Sequence, residues 1–92
     1  VLPMLNGVEE KMRKGARVID VGCGTGLAIE LLADSFPEST FIGYDPSSRA
    51  IAVARERFSS YENVELFAIG AESIPDSADA DFVMTLDPSK IH

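Results

Sequence analysis

Three alternating glycines behind an acidic residue form the part of the sequence best suited to binding a ligand. Gly22, Gly24 and Gly26 follow a β-branched stretch and precede a Leu- and Ala-rich one, so they lie where a strand passes into a helix. Glycine has no Cβ and permits a tight turn in which a ligand lies against bare backbone. The first turn of the helix adds amide groups at the same place. Asp20 brings a carboxylate, which favours a ligand carrying an ammonium or sulfonium group over one carrying phosphates.

The spacing of the glycines bears on the kind of nucleotide site. A dinucleotide fingerprint, G-x-G-x-x-G, needs its third glycine where this chain has Leu27. The dinucleotide-binding half of an oxidoreductase is therefore the less favoured alternative, and Asp20 would also repel a pyrophosphate. A glycine turn that serves only the fold is a further alternative.

Asp45 is the second acidic residue placed for binding, because it follows the stretch T-F-I-G-Y. A carboxylate at that point can accept hydrogen bonds from both hydroxyls of a ribose. The alternative is that Asp45 or Ser47 caps the next helix. Cys23, inside the glycine turn and near a helix N-terminus, is expected to have a lowered thiol pKa. It has no basic partner nearby in sequence, so we interpret it as a packing residue and not as a nucleophile.

These residues belong to an alternating series of helices and strands. The predicted helices are Met4–Lys14, Leu27–Phe36 and one from Ser47 to about Phe58; the predicted strands are Arg17–Val21, Thr40–Tyr44, Asn63–Ile69 and Asp81–Leu86. The stretch between the last two strands is predicted to be a loop with a helical turn around Ser77. This order predicts parallel strands joined by right-handed crossovers in an α/β sheet. Such a sheet binds ligands beyond the carboxyl ends of its strands, where the glycine turn and Asp45 both fall.

Composition limits the class of protein. The 92 residues are 46% hydrophobic and 25% charged, which is typical of one small globular domain over residues 1–92. No apolar run approaches the roughly 20 residues of a membrane span, and no secretory signal precedes the first helix. A net charge of −7 disfavours nucleic acid as a partner. A single cysteine favours a cytoplasmic location, and Val1 in place of Met suggests a piece of a longer protein.

The phrase D-V-G-C-G-T-G after a β-branched strand, with Y-D at the end of the next strand, resembles the class I S-adenosylmethionine-dependent methyltransferases. The likeness runs to about Asp87, and A-D-S-F-P-E-S-T-F-I-G-Y-D with A-V-A-R-E-R-F is similar to bacterial-type small-molecule members. It implies a Rossmann-like, doubly wound parallel sheet with helices on both faces. The chain holds about four of the family's seven strands and so resembles the N-terminal, cofactor-binding half of the catalytic domain.

The resemblance also implies roles for residues that would bind S-adenosyl-L-methionine. The glycine turn would contact the methionine part, Asp20 its amino group, Asp45 the ribose hydroxyls, and Pro46 would lie beside the adenine. Asp87 matches a position facing the methionine or the acceptor, although a D-P turn is an equal alternative. The implied cofactor-binding residues are Asp20, Gly22, Cys23, Gly24, Gly26, Asp45, Pro46, Ala71, Glu72 and Asp87.

The chain departs from the family after the third strand. Where the family has G-D-A-E-x-L-P, this chain reads I-G-A-E-S-I-P, so Gly70 replaces the acid that binds the adenine amine. The backbone of Ala71 would still meet the adenine ring, and Glu72 would partly substitute for the missing carboxylate. This departure lowers the expected affinity for the cofactor.

The function that these observations favour is methyl transfer from S-adenosyl-L-methionine to a small-molecule acceptor. No catalytic residue and no metal site are predicted, and the terminal His92 is not assigned a catalytic role. The alternative is a non-catalytic fragment or degenerate homologue that acts as a nucleoside-binding or protein-interaction module. The outer edge of the fourth strand is apolar and open, which predicts a homodimer, coverage by a partner segment, or poor solubility.

Overall fold

Four short strands form the centre of the structure. The computed structural model describes residues 6–75 and 79–85. The strands are β1 (Arg17–Val21), β2 (Thr40–Tyr44), β3 (Val64–Phe67) and β4 (Phe82–Thr85). They pair in parallel in the order β3-β2-β1-β4. The predicted parallel α/β sheet is thereby confirmed, and the predicted bounds of the first two strands are those observed.

Three helices connect or precede these strands, and their ends have local causes. They are α1 (Asn6–Lys14), α2 (Leu27–Ser35) and α3 (Ser48–Arg57). Gly15, at φ +119°, ends α1 by donating its N–H to the Lys11 carbonyl at 3.0 Å, as expected for a glycine after a helix. The Ser47 hydroxyl caps α3 by accepting from the Ala50 amide at 3.1 Å. Among the described residues, no helix is long and apolar enough to cross a bilayer.

The third strand and the loop after it differ from the prediction. β3 is shorter than the predicted Asn63–Ile69 because its partner β2 ends at Tyr44, which pairs with Phe67. A single 3-10 turn follows at Ala71–Ser73. The turn expected around Ser77 lies outside the described residues, as do the start of the first predicted helix at Met4 and the end of the fourth predicted strand at Leu86.

The sheet separates two apolar clusters. The buried side chains that the structure describes on α1, α2 and α3 all belong to the larger cluster, which consists of Met12, Ala16, Val18, Ile29, Ala33, Phe41, Ile51, Ala54, Phe58 and Leu66. On the other face, buried Ile19, Ile42 and Tyr44 are covered by residues of the β3–β4 connection, among them Ile74. We expected helices on both faces of the sheet. Three α-helices cover one face, and in the described part of the chain one 3-10 turn covers the other.

The strand order creates a switch in chain direction beside β1. From β1 the chain moves outward to β2 and β3, and then it returns to place β4 on the opposite side of β1. The connection leaving the carboxyl end of β1 therefore leads away from β4, and a crevice lies beside the ends of these two strands. In open parallel sheets this crevice is where ligands bind.

Candidate functional site

The loop after β1 has a backbone that only glycine adopts readily. Gly22, Gly24 and Gly26 have φ values of +80°, +59° and +87°, all in the left-handed region. The loop is fixed to the end of β2, since the amides of Gly22 and Cys23 both donate to the Tyr44 carbonyl, at 2.7 and 3.1 Å. The three glycines are therefore required by the path of the backbone.

The Asp45 carboxylate joins this loop to the start of α3. One oxygen, Oδ2, accepts from the Gly24 amide at 2.9 Å, and the other, Oδ1, accepts from the Ser47 amide at 2.8 Å. Ser47, and not Asp45, is the residue that caps α3. Each carboxylate oxygen has a second lone pair, so Asp45 can accept further hydrogen bonds from a bound hydroxyl.

A cleft of about 450 Å³ opens at the switch between β1 and β4. Its size is in the usual range for small-molecule sites. Two predicted elements meet in it, Asp20 at the end of β1 and the glycine loop, and Met84 closes it from β4. The residues that line it are Asp20, Gly22, Cys23, Gly24, Thr25, Leu27, Ala28 and Met84.

A larger depression, of about 580 Å³, lies at the opposite end of the strands. It is lined by Asp34 of α2 and by residues that precede β2 and β3, among them Pro37, Tyr61 and Asn63. This is the amino end of the strands, where parallel α/β sheets do not carry their sites. The cleft beside the glycine loop is therefore the candidate site despite its smaller volume.

Asp20 gives the cleft its electrostatic character. The residue is only 5% exposed. Burial, and secondarily the charge of Asp45, raise the pKa of its carboxyl from 3.8 to about 6. At neutral pH the side chain is still mostly ionised, at a cost to the folded state. A cationic group in the cleft would remove that cost, so Asp20 fits the predicted role of binding an ammonium group.

The expectation for the Cys23 thiol was wrong. Its pKa is raised to about 11, chiefly by burial and then by the charges of Asp20 and Asp45. Burial together with the two carboxylates outweighs the helix N-terminus, so the thiol stays protonated at neutral pH. Its Sγ atom packs over Gly43, where an added Cβ would lie 2.8 Å away. These contacts support the interpretation of Cys23 as a packing residue.

Five predicted residues lie at the same end of the sheet but outside the lining of the cleft, namely Gly26, Asp45, Pro46, Ala71 and Glu72. Pro46 follows β2, and Ala71 and Glu72 follow β3; all three are exposed. The Glu72 carboxylate folds over Gly70, with Oε1 2.5 Å from where a Cβ on Gly70 would lie. Asp87 lies outside the described residues.

Several residues of the site were not singled out as site residues from the sequence. Thr25, Leu27 and Ala28 are adjacent to the glycines, and that adjacency is the signal that could have identified them. Met84 has no such signal, because its place in the cleft depends on β4 pairing with β1. Within residues 6–75 and 79–85, no group of three or more His, Cys, Asp or Glu side chains is arranged to hold a metal ion.

Comparison with known proteins finds similar sequences in several methyltransferases. The family model described as "Methyltransferase domain" matches residues 18–90, from β1 onward. The trans-aconitate 2-methyltransferase of Methylobacterium nodulans is 37% identical over 71 residues, which are 75% of this chain and 28% of that protein. The ubiquinone/menaquinone biosynthesis C-methyltransferase UbiE of Campylobacter jejuni is 36% identical over 69 residues, 70% of this chain and 28% of its own length.

A solved structure shows the same arrangement of strands and helices. PKMT2 from Rickettsia typhi, in complex with AdoHcy, superposes with a TM-score of 0.73 at 28% identity, over 80% of this chain and 15% of its own. The chain thus spans a minor part of the length of each of these proteins.

Proposed function

The chain belongs to the class I S-adenosylmethionine-dependent methyltransferases, and from this premise we propose that its cleft binds S-adenosyl-L-methionine as the donor for methyl transfer. The observation that carries the proposal is the buried, ionised Asp20, which lies next to the glycine loop, where the backbone has no side chains to cover it. A pyrophosphate would be repelled there, whereas the ammonium of a methionine group is attracted.

We assign the parts of the donor to residues by chemistry. The amino group lies at Asp20, and the remainder of the methionine part lies along Gly22, Cys23, Gly24 and Gly26. Asp45 accepts the ribose hydroxyls with the lone pairs that its bonds to Gly24 and Ser47 leave available. One carboxylate thereby braces the loop and binds the sugar.

The adenine end of the donor has a substitute acid. Gly70 contributes no side chain, and the Glu72 carboxylate lies over it, with Oε1 2.5 Å from a Cβ position there. The side chain of an acidic residue at position 70 would occupy this same space. We propose that Glu72 accepts from the adenine amine, with Pro46 and the backbone of Ala71 beside the ring and Asp87 at the opposite end of the donor.

The donor would supply a methyl group that is bound to its sulfonium sulfur. As the acceptor forms a bond to the methyl carbon, the bond between that carbon and sulfur breaks, and its electron pair stays on sulfur. Such a displacement depends mainly on alignment of donor and acceptor, which contributes up to about 7–11 kcal/mol in well-aligned reactions. The described residues that we assign to the site would all bind the donor. We propose a small-molecule acceptor, whose identity is open because the two curated relatives are named for different acceptors.

Calorimetric titration tests this proposal against its alternatives. We expect S-adenosylmethionine and S-adenosylhomocysteine to bind and NAD not to bind. Binding of NAD alone would favour the dinucleotide-binding oxidoreductase half. No binding of any of the three would favour a non-catalytic module that interacts with a protein partner.

The Asp45→Ala variant tests the assignment of the ribose. We expect it to weaken the binding of S-adenosylhomocysteine by about 1.5–3 kcal/mol, the range for hydrogen bonds to a charged group. Glu38→Ala, which removes an exposed acid at the other end of the sheet, is the matched control. Unchanged affinity in Asp45→Ala would exclude Asp45 from the site.

We further propose that the outer edge of β4 is covered in the functional protein, by a second copy or by a partner segment. The strand is at the end of the sheet in the described residues, and Val83 on it is 62% exposed. A reducing, cytoplasmic location agrees with the single thiol of Cys23, which has no partner for an internal disulfide.

A further inference from the structure

The peptide unit between Thr25 and Gly26 is held at both ends, and the two bonds come from different parts of the chain. Its N–H, on Gly26, donates to the Cys23 carbonyl at 3.0 Å, within the loop itself. Its carbonyl, on Thr25, accepts from Nε of Arg57 at 3.0 Å, across from the end of α3. Arg57 is thus the external contact that fixes the C-terminal half of the loop.

The Arg57 side chain is itself held in position. Its Nη1 atom lies 3.2 Å from Oε1 of Glu30, in the first turn of α2, and the two side chains are 28% and 34% exposed. The planar guanidinium therefore bonds to the loop and to α2 at once, which a lysine ammonium could not reproduce in the same geometry. The ring of the next residue, Phe58, packs on Gly26, where an added Cβ would lie 2.5 Å from Cε2.

In addition to the backbone bonds to Tyr44, two side chains hold the loop. Asp45 fixes the Gly24 amide, and Arg57 fixes the Thr25 carbonyl. Thr25 and Leu27 line the cleft together with Asp20, so the half of the loop held by Arg57 faces the place assigned to the amino-acid part of the donor. Gly24 lines the same cleft, and Asp45, which holds the Gly24 amide, is the residue that we assign to the ribose.

We propose that Arg57 is a positioning residue that keeps Thr25 and the start of α2 in the shape that receives the amino-acid part of the ligand. This inference rests on the proposed function. It requires that loss of Arg57 act on ligands that carry the amino-acid part and spare those that lack it.

The test compares two ligands in three variants of the chain. S-adenosylhomocysteine has the amino-acid part, and 5′-methylthioadenosine lacks it. We expect Arg57→Met to weaken the first about 3- to 10-fold, which is less than for loss of a direct hydrogen bond from a charged group because Arg57 acts through the loop, and the second less than 2-fold. Arg57→Lys, which retains the charge and N–H donors but not the planar fork, should recover part of the loss.

Arg55→Met is the matched control. Arg55 lies on the same helix and also donates to a main-chain carbonyl, that of Leu66 at 2.9 Å, away from the loop. We expect it to change neither affinity by more than 2-fold. Equal loss of both ligands in Arg57→Met, or no loss of either, would overturn the inference.

Hydrogen exchange of the ligand-free chain separates this inference from the proposed function. We expect the amides of residues 22–30 to exchange faster in Arg57→Met than in the unmodified chain and in Arg55→Met. If the unmodified chain binds neither ligand, the proposed function fails, and exchange alone decides the role of Arg57. Unchanged exchange in Arg57→Met contradicts that role whatever the ligand result.

Discussion

At the scale of single residues, Asp20, to which we assign the amino group of the donor, also lowers the stability of the fold. A buried carboxylate without a cation is costly in its charged form, and the raised pKa of about 6 reflects that cost. Because a bound cation would remove the cost, the same residue would give the cleft a preference for cationic groups. The pKa of nearby Cys23 shifts in the same direction, since burial and then the charges of the two carboxylates keep its thiol neutral.

The pH dependence of stability tests this account of Asp20. Its pKa is higher in the folded state than the ordinary 3.8, so between pH 3.8 and about 6 the folded chain holds more protons than the unfolded chain. Its contribution to the free energy of unfolding therefore falls as pH rises through this window, by about 3 kcal/mol in total. We expect Asp20→Asn to be more stable than the unmodified chain above pH 7, by up to that amount. Near pH 4.5 this gain in the free energy of unfolding should be smaller. Urea unfolding at both pH values measures this difference.

The control for this experiment is Glu62→Gln, which neutralises an exposed acid. A gain that is equal at both pH values, or that also appears in Glu62→Gln, would mean that the net charge of −7 is responsible and not the burial of Asp20. The Asn variant should in addition lose affinity for S-adenosylhomocysteine, which keeps the roles in stability and in binding distinct.

At the scale of elements, the glycine loop is shaped by the helices packed against it as much as by its own sequence. We expect Gly26→Ala to lower the free energy of unfolding by about 2–4 kcal/mol, from a non-glycine residue at positive φ together with overpacking. The added Cβ would meet Phe58 Cε2 at 2.5 Å, and φ there is +87°. Gly7→Ala is the matched control, since an added Cβ there meets nothing within 4 Å. In a helix it should stabilise by about 0.5–1 kcal/mol. Thermal unfolding of both variants decides, and equal effects would contradict the packing explanation.

The junction of α1 and β2 depends on one buried hydroxyl. Ser39 is fully buried, and its Oγ accepts from the Ala16 amide at 3.0 Å and donates to the Met12 carbonyl at 2.5 Å. We expect Ser39→Ala to lower the free energy of unfolding by about 1–3 kcal/mol, because it leaves both backbone groups without that partner. Ser59→Ala, at an exposed position after α3, should be nearly neutral in the same denaturant titration. A neutral Ser39→Ala would show that water replaces the hydroxyl.

The sequence predicted those elements whose signals are local. The β-branched run R-V-I-D-V and the stretch T-F-I-G-Y are bounded by turn residues, and both strands have their predicted bounds. The contacts of Ser39, Arg57 and Gly43 had no local signal, because each depends on elements far apart in the chain. The pKa of Cys23 was mispredicted for the same reason: a helix N-terminus can be read from sequence, but the burial of the thiol and the convergence of Asp20 and Asp45 on it cannot.

At the scale of the whole molecule, the sheet is asymmetric in what covers it. Three α-helices pack on one face, whereas the β3–β4 connection covers part of the other. Phe67 and Val83 are 40% and 62% exposed. On β4, an exposed apolar side chain occurs on a strand whose outer backbone groups have no strand partner in the described part of the chain. Such an edge is a template for pairing with another strand.

Association through β4 is therefore the expected behaviour of this chain, and a charge on the edge strand should oppose it. A lysine on an edge strand disfavours pairing because its charge would be buried in the joined sheet. We expect the sedimentation coefficient of the unmodified chain to rise with concentration and that of Val83→Lys to stay constant. Val53→Lys places the same charge at a 45% exposed valine on α3, and it should associate like the unmodified chain. If both lysine variants are monomeric, net charge controls association; if the unmodified chain is itself monomeric throughout, the edge of β4 is already protected. The contact is located on the sheet only if Val83→Lys stays monomeric while Val53→Lys associates.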